Sequence, residues 1–394
     1  MRIEICPQDA CQGCALCESL CPANAIEIKI QNGFYRPIIS NKCISCNICV
    51  THCPANNREK IQKHKRPDIA YAAWAKDNTI HYNSSSGGLA YLISSRFISN
   101  GGTVVGVWFN PATKRVEHRI YEKKENLCFM QGSKYVQSCK TEKIYKKAAD
   151  TLNEKDVLFI GVPCEVFAMK QYINGKHYKH KISFIDLLCH GGSSPQCLQE
   201  HVNRISFGRT INNVTFRGGK YDCRFVLWGN SHKKLYCVGQ YRDPYFLTFM
   251  KRSILQKACY SCAFAGSERT GDLTLGDFWG IDPDISHKTA ISGINMLFIN
   301  TENGQQLIDS IASEIIMFPR NTEEAIRGND TLYEPTHQPQ EYDALWKEIN
   351  KKGFYKALKS EYGISWWKGI ISDYIYSFFI HPALVIVNKT LRRR

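Results

Sequence analysis

The chain has 394 residues, room for two or three domains at about 150 residues each, and its 43% hydrophobic and 22% charged residues exclude a wholly disordered or fibrous protein. Eighteen cysteines are the outlier, and because the N-terminus MRIEICPQDA has no basic-then-apolar signal segment, metal in a reducing cytoplasm is expected rather than a secreted disulfide scaffold. A formal charge of +15 raises nucleic acid or an anionic lipid surface as partners, subject to the charge that cofactors bring.

Nine of the 18 cysteines precede residue 54, and eight of them form two copies of C-x2-C-x2-C-x3-C-P set 32 residues apart. The first copy is Cys11, Cys14, Cys17, Cys21 and Pro22; the second is Cys43, Cys46, Cys49, Cys53 and Pro54. Two-residue gaps let a tight loop turn three thiolates toward one 4Fe-4S cube, and the fourth cysteine of each run crosses to the other cube. The pattern therefore predicts Cys11, Cys14, Cys17 and Cys53 around one cluster, and Cys43, Cys46, Cys49 and Cys21 around a second. Zinc also accepts cysteines at this spacing, but it has no use for two complete copies each closed by proline. AIEIKI (25–30) and FYRPII (34–39) alternate like strands about an Asn32-Gly33 turn. Cys6 lies outside both runs and has no role in the pattern.

Residues 1–58 thus read as a bacterial-type double 4Fe-4S ferredoxin domain, and the polar, basic, proline-closed stretch 59–68 as a linker. From 69 to 325, strand-like IAYAAWA, GTVVGVWF, VLFIG and ISFIDLLC interleave with helix-like LAYLISSRFI, TEKIYKKAADTLNE, EVFAMKQYI and PQCLQEHVNRI. Strand-like VTFRG, RFVLWG and KLYCVGQ follow. This predicts a larger mixed α/β domain, and the overall fold class is α+β or mixed α/β. No G-x-G occurs, so a Rossmann dinucleotide fold is not expected.

Ser84-Ser85-Ser86-Gly87-Gly88 precedes a helix-like run, a pattern that can present N-H groups and hydroxyls to a phosphate but that also describes an ordinary N-cap and glycine turn. Cys259 and Cys262 form half a metal site, and Cys164 and Cys189, each ending a strand-like segment, are the best candidates to complete it. A third cluster, zinc, a redox dithiol and plain buried thiols all remain open from spacing alone. Cys128, Cys139, Cys197, Cys223 and Cys237 have no partner spacing. Residues 326–394 form a basic and apolar helical extension. From Leu345 on, ten Lys or Arg face three acids. WWKGIISDYIYSFFIHPALVIV, broken by Asp373 and His381-Pro382, suits an interfacial anchor peripheral to the inner face of a membrane as well as it suits a docked helix.

SSSGGLAYLIS, GSKYVQS (132–138), GVPCE, LLCHGG and KACYSCAFAGSERTGDLTLGDFWGI together resemble the beta subunits of coenzyme F420 hydrogenase/dehydrogenase, over roughly residues 70–320. The resemblance implies FAD held beside a 4Fe-4S cluster, with Cys164, Cys189, Cys259 and Cys262 as that cluster's ligands. It makes Ser85, Ser86, Gly87, Gly88, Lys134, Gly161 and Asp277 candidate FAD contacts. His190 and Lys134 are candidates to donate protons or orient substrate, although a histidine beside a cluster ligand more often serves as a hydrogen-bonding neighbour of that ligand. Three cubes and an FAD pyrophosphate would bring roughly −8 against the +15, leaving a moderately basic holoprotein and no case for nucleic acid.

The function expected is that of an iron-sulfur flavoprotein oxidoreductase. It would pass electrons between a one-electron carrier such as ferredoxin and an unidentified organic substrate or a deazaflavin-type hydride carrier. Family members associated with surface-polysaccharide genes offer that metabolism as one setting. The alternative is a non-catalytic electron-transfer or docking subunit of a larger redox complex.

Overall fold

In the computed structural model, which describes residues 4–140, 143–217, 223–282, 293–363 and 371, regular structure begins with a hairpin. Strands β1 (Ile26–Gln31) and β2 (Phe34–Ile39) pair antiparallel with Ile26 opposite Ile39. Asn32 and Gly33 join them at φ of 47° and 87°. Both turn residues are left-handed, the geometry for which Asn-Gly is the favoured pair.

The largest sheet has eight strands: β3 (Ile69–Ala75), β4 (Thr103–Asn110), β5 (Arg115–Tyr121), β6 (Val157–Gly161), β7 (Ile182–Leu187), β11 (Leu273–Asp277), β12 (Asn295–Ile299) and β13 (Ile315–Asn321), in the order β13-β3-β12-β11-β7-β6-β4-β5. β4, β6, β7 and β11 run parallel, and antiparallel strands close both ends. Parallel strands are covered on both faces. Accordingly, every residue of β6 is buried. Val104, Leu158, Ile185 and Leu275 pack on one face with the helix Leu89–Ser99. Their neighbours Val105, Phe159 and Phe184 pack on the other with the helices Ile144–Thr151 and Pro163–Ile173. Cys14 and Leu16 of the cysteine-rich segment belong to that second cluster, so this segment shares a core with the large sheet.

The chain divides into two compact units. The first comprises residues up to Pro195 and Leu255–His337, the second most of Gln196–Ile254 and the chain from Gln338 on. The sequence suggests a different division, with 1–58, 59–68, 69–325 and 326–394 as separate segments. The 59–68 stretch is held by a bridge in which the His64 N-H donates to the Arg269 carbonyl at 2.7 Å.

The second unit is built on a three-stranded antiparallel sheet of β8 (Asn213–Thr215), β9 (Arg224–Trp228) and β10 (Lys234–Gly239). At its centre His201 lies fully buried between the rings of Tyr245 and Tyr355, with Nε2 2.9 Å from Asp243 Oδ2. Tyr236 donates its hydroxyl to the same carboxylate at 2.9 Å. The apolar stretch at 366–387 and the terminal arginines lie outside the described residues, apart from Ile371. Among the described residues no helix is long and apolar enough to cross a membrane.

Candidate functional site

The two cysteine runs repeat each other in backbone as well as in spacing. Gly13 and Ala15 of the first copy have φ of 62°, and their counterparts Ser45 and Asn47 have φ of 57° and 59°. Left-handed residues alternating with right-handed ones turn successive N-H groups toward one side, the concave arrangement that binds anions. Cys14 lies within electrostatic reach of Cys11 and Cys53, and Cys17 of all three. Cys21, Cys43, Cys46 and Cys49 line a single cleft with Pro22, Ile26, Ile39 and Ile44. The structure thus brings the fourth cysteine of each run to the other group.

Burial pushes the Cys14 thiol up to about 12 and Cys17 well above the thiol range. Cys11 goes the other way, to about 6, because the Cys6 thiol hydrogen-bonds to it. Cys6 also contacts Cys53, so a residue outside the repeated pattern sits against two members of the first group. Its sequence carried no signal for this, since the contact depends on the chain folding back over Cys53.

The other four candidate cysteines come from three places. Cys164 opens the helix after β6, Cys189 follows β7, and Cys259 and Cys262 flank the end of the 3-10 turn Lys257–Ser261. The structure brings them together. Cys164 is within electrostatic reach of Cys189 and Cys262, and Cys189 of Cys259 and Cys262. Burial drives Cys189 up to about 12, Cys259 up to about 11 and Cys164 well above the usual thiol range. Two backbone donors face them: Gly191 N lies 3.4 Å from Cys189 Sγ and Gly192 N 3.3 Å from Cys259 Sγ. Among the described residues no three His, Cys, Asp or Glu side chains stand close enough to hold a single metal ion.

Asp186, at the end of β7, fixes the geometry. Its carboxylate accepts from Arg269 Nε at 3.2 Å and Nη2 at 2.9 Å, and from the backbone of Thr270 and Gly271 at 2.9 and 2.8 Å. This ties the loop after Cys262 to the strand that leads into Cys189. Beside Cys164, Glu165 is buried and pairs with Lys140 Nζ at 2.7 Å, accepts from Ser138 Oγ at 2.8 Å and stands 3.5 Å from His118 Nε2. Burial works to raise the Glu165 carboxyl, but the Lys140 ammonium and His118 together hold it well below the usual carboxylate range.

The candidate flavin contacts divide. Ser85, Ser86, Gly87 and Gly88 lie at the carboxyl end of β3. A Cβ on Gly87 would stand 2.2 Å from the Ala73 carbonyl and 2.8 Å from Asn295 Oδ1, and Asn295 is the register partner of Asp277. The Leu89 N-H at the helix start donates to Asn295 Oδ1 at 3.3 Å. Ser85 Oγ accepts from Ser133 N at 2.5 Å, which joins this loop to 132–134. Ser86 Oγ is buried without a partner, and a Cβ on Gly132 would meet nothing nearer than Ser85 Oγ at 3.9 Å. Lys134 Nζ donates to the carbonyls of Phe129, Met130 and Gln131 at 3.2, 2.8 and 2.8 Å. Gly161 lies apart from that corner, packed over Glu165 with a Cβ position 2.9 Å from Oε2. His190 Nδ1 is 3.5 Å from Asp330 Oδ1.

All these elements share one edge of the sheet. The carboxyl ends of the parallel strands β6, β7 and β11, and of β3, which runs the same way, carry Cys164, Cys189, Asp277 and the serine-glycine loop. Open α/β sheets bind ligands at that edge.

Residues 154–323 match the family model for the C terminus of the coenzyme F420 hydrogenase/dehydrogenase beta subunit, and residues 10–57 match the 4Fe-4S dicluster domain. Among solved structures, a chain of the F420-reducing NiFe hydrogenase complex from Methanosarcina barkeri is similar at 16% identity and a TM-score of 0.45, over 76% of this chain and 92% of that chain. No curated protein sequence matches.

Proposed function

Because residues 154–323 belong to the coenzyme F420 hydrogenase/dehydrogenase beta-subunit family and residues 10–57 to the 4Fe-4S dicluster domains, we propose that the chain is an FAD-dependent iron-sulfur oxidoreductase that exchanges electrons between a one-electron carrier and an organic substrate. The observation that carries this reading is the shared sheet edge. It gathers Cys164, Cys189, Cys259 and Cys262 from three separate stretches of chain at the same edge as a serine-glycine loop that carries a buried hydroxyl without a partner.

Cys164, Cys189, Cys259 and Cys262 would hold a third 4Fe-4S cluster. Cys164 and Cys189 each feel two of the other three thiols, and the Gly191 and Gly192 N-H groups are placed to stabilise thiolate charge. Ser85 and Ser86, with the room beside Gly132, fit the phosphates of FAD, and Asp277 borders the same corner. A flavin, when bound, supplies the exchange between hydride chemistry and single electrons.

The chain's own residues do the rest. Asp186 and Arg269 keep the Cys189 and Cys262 loops in register, and buried Glu165 and Lys140 fix the helix start that carries Cys164. The Lys134 ammonium, spent on three carbonyls, fastens the 132–134 loop against Ser85. A ferredoxin-type protein or a reduced deazaflavin is the proposed redox partner, the cytoplasm the proposed compartment because so many thiols require reducing conditions, and surface-polysaccharide metabolism one proposed setting.

The test is anaerobic purification followed by counting iron, sulfide, zinc and released flavin per chain. About twelve irons and one FAD support the proposal. About eight irons without flavin overturn it and leave an electron-carrying docking protein.

A further inference from the structure

The two copies of the cysteine run are alike in backbone and opposite in surroundings. In the first, Gln12 and Cys14 are each 8% exposed and Leu16 is buried; in the second, Ile44 is 65% exposed and Cys46 is exposed. Their sequences diverge where the packing differs. At the left-handed position after Gln12 the first copy has glycine, because a Cβ there would lie 2.1 Å from Gln137 Nε2 and 2.7 Å from the Tyr35 carbonyl. The second copy tolerates Ser45 at the same φ.

What presses on Gly13 is a buried polar bridge. The Gln12 carbonyl, one residue after Cys11, accepts from Gln256 Nε2 at 3.1 Å and from Gln137 Nε2 at 3.3 Å. The Gln256 carbonyl in turn accepts from the Cys259 N-H at 2.9 Å. Gln137 Oε1 accepts from Tyr35 N at 2.8 Å. Arg36 closes the bridge, its Nη1 donating to Gln256 Oε1 and to the Tyr35 carbonyl, both at 3.0 Å.

Arg36 is 8% exposed, and no carboxylate among the described residues forms an ion pair with it. A buried guanidinium with no counter-charge is strongly unfavourable, so anions must face it. The groups its charge reaches are the Cys11 thiol on one side and the Cys259 thiol on the other. Thiolates that bind iron supply that negative charge.

Resting on the reading of Cys164, Cys189, Cys259 and Cys262 as a cluster site, we propose that the Cys11, Cys14, Cys17 and Cys53 site is the inner of the two ferredoxin sites, joined to the third group through Gln12, Gln137, Gln256 and Arg36, and that Arg36 is the positioning residue whose charge sets the electron affinity of that junction. The Cys21, Cys43, Cys46 and Cys49 site is the outer one, reached from solvent. A single electron crosses the junction per event. One side is oxidised as the other is reduced, no bond is made or broken, no proton is transferred, and the electron originates in the one-electron carrier proposed above.

The experiment uses the full-length holoprotein, with iron counted in every sample. In the wild type, a soluble dysprosium chelate should speed the electron-spin relaxation of one reduced ferredoxin cluster far more than the other, and the affected signal should be the one altered by Cys46→Ala. In Arg36→Gln, the midpoint of the shielded cluster, followed by EPR, should fall by the equivalent of about tenfold in its reduction equilibrium, about 59 mV for one electron, while the accessible cluster keeps its midpoint. Arg36→Lys, which retains the charge, should recover most of the shift. Equal chelate effects on both clusters, or an Arg36→Gln shift that is absent or falls on the accessible cluster, overturns the proposal. An iron count of about eight overturns the third cluster independently of either result.

Discussion

Loss of the Glu165 carboxylate should be strongly destabilising, because its removal strands a buried ammonium. Glu165→Ala removes both carboxylate oxygens and leaves Lys140 with the Ser138 carbonyl at 3.0 Å as its remaining hydrogen-bond partner among the described residues. Breaking a buried pair from one side costs about 3–5 kcal/mol, and denaturant unfolding should show a loss of that size; a loss below about 1 kcal/mol would mean the pair is relaxed by water. At this scale the sequence was legible for the cysteines, since thiolate spacing is dictated by the size of a cube and survives without knowledge of the fold. It was not legible for Arg36, Gln137 and Gln256. Each is an unremarkable polar residue whose partner lies more than one hundred positions away, as Gln256 does from Gln12. Cys6 failed for the same reason. The serine-glycine loop was legible only as a loop, because Asn295, which occupies the first helix N-H, is contributed by a distant strand.

At the scale of elements, the helix Asn78–Asn83 and the 59–68 stretch each carry a histidine that burial keeps neutral. His81 Nε2 lies 2.7 Å from the Gly293 carbonyl at the serine-glycine corner, and His64 sits by Lys170 in the 59–68 stretch. Both have pKa values lowered, burial being the main cause and Lys170 a further one for His64. As pH falls through the unfolded histidine value of about 6.5, the unfolded chain takes up protons that the folded chain refuses, so stability is lost on the acid side and is full above it. The melting temperature should therefore drop between about pH 7.5 and pH 5.5, and His81→Gln, which can still donate to Gly293, should flatten that slope. A wild-type profile level across this range would refute the assignment. Strands β3, β4, β6 and β7 were legible because burial on both faces makes them continuous apolar runs. β5, with Arg115, Glu117 and Arg119, and β13, with Pro319 and Arg320, escaped notice because edge strands carry charge and proline on purpose.

For the whole molecule, the formal charge of +15 describes the polypeptide and not the loaded protein. Each cube with its four thiolates brings about −2, so anaerobic isoelectric focusing should place the holoprotein well to the acid side of protein stripped of iron. Identical positions would mean the clusters had not been incorporated. The two-unit division was the least legible feature, since the second unit is assembled from stretches on either side of residues 255–337 and composition does not change where the chain leaves one unit and enters the other.

The two sides of the Gln12–Gln137–Gln256–Arg36 bridge are made at different times. Cys11 through Cys53 are complete early in synthesis, whereas Cys259 and Cys262, and the Gln256 that receives Gln12, emerge only after some two hundred further residues. At about 5–20 residues per second that interval is roughly 10–40 s. For that time the nascent chain displays eight ferredoxin thiols with the inner loop uncovered, a window in which oxygen or a stray metal could capture the site. Iron loading of the first domain and folding of the remainder are thus in a race set by translation speed, and a chain translated slowly between residues 53 and 262 would carry that exposure longest.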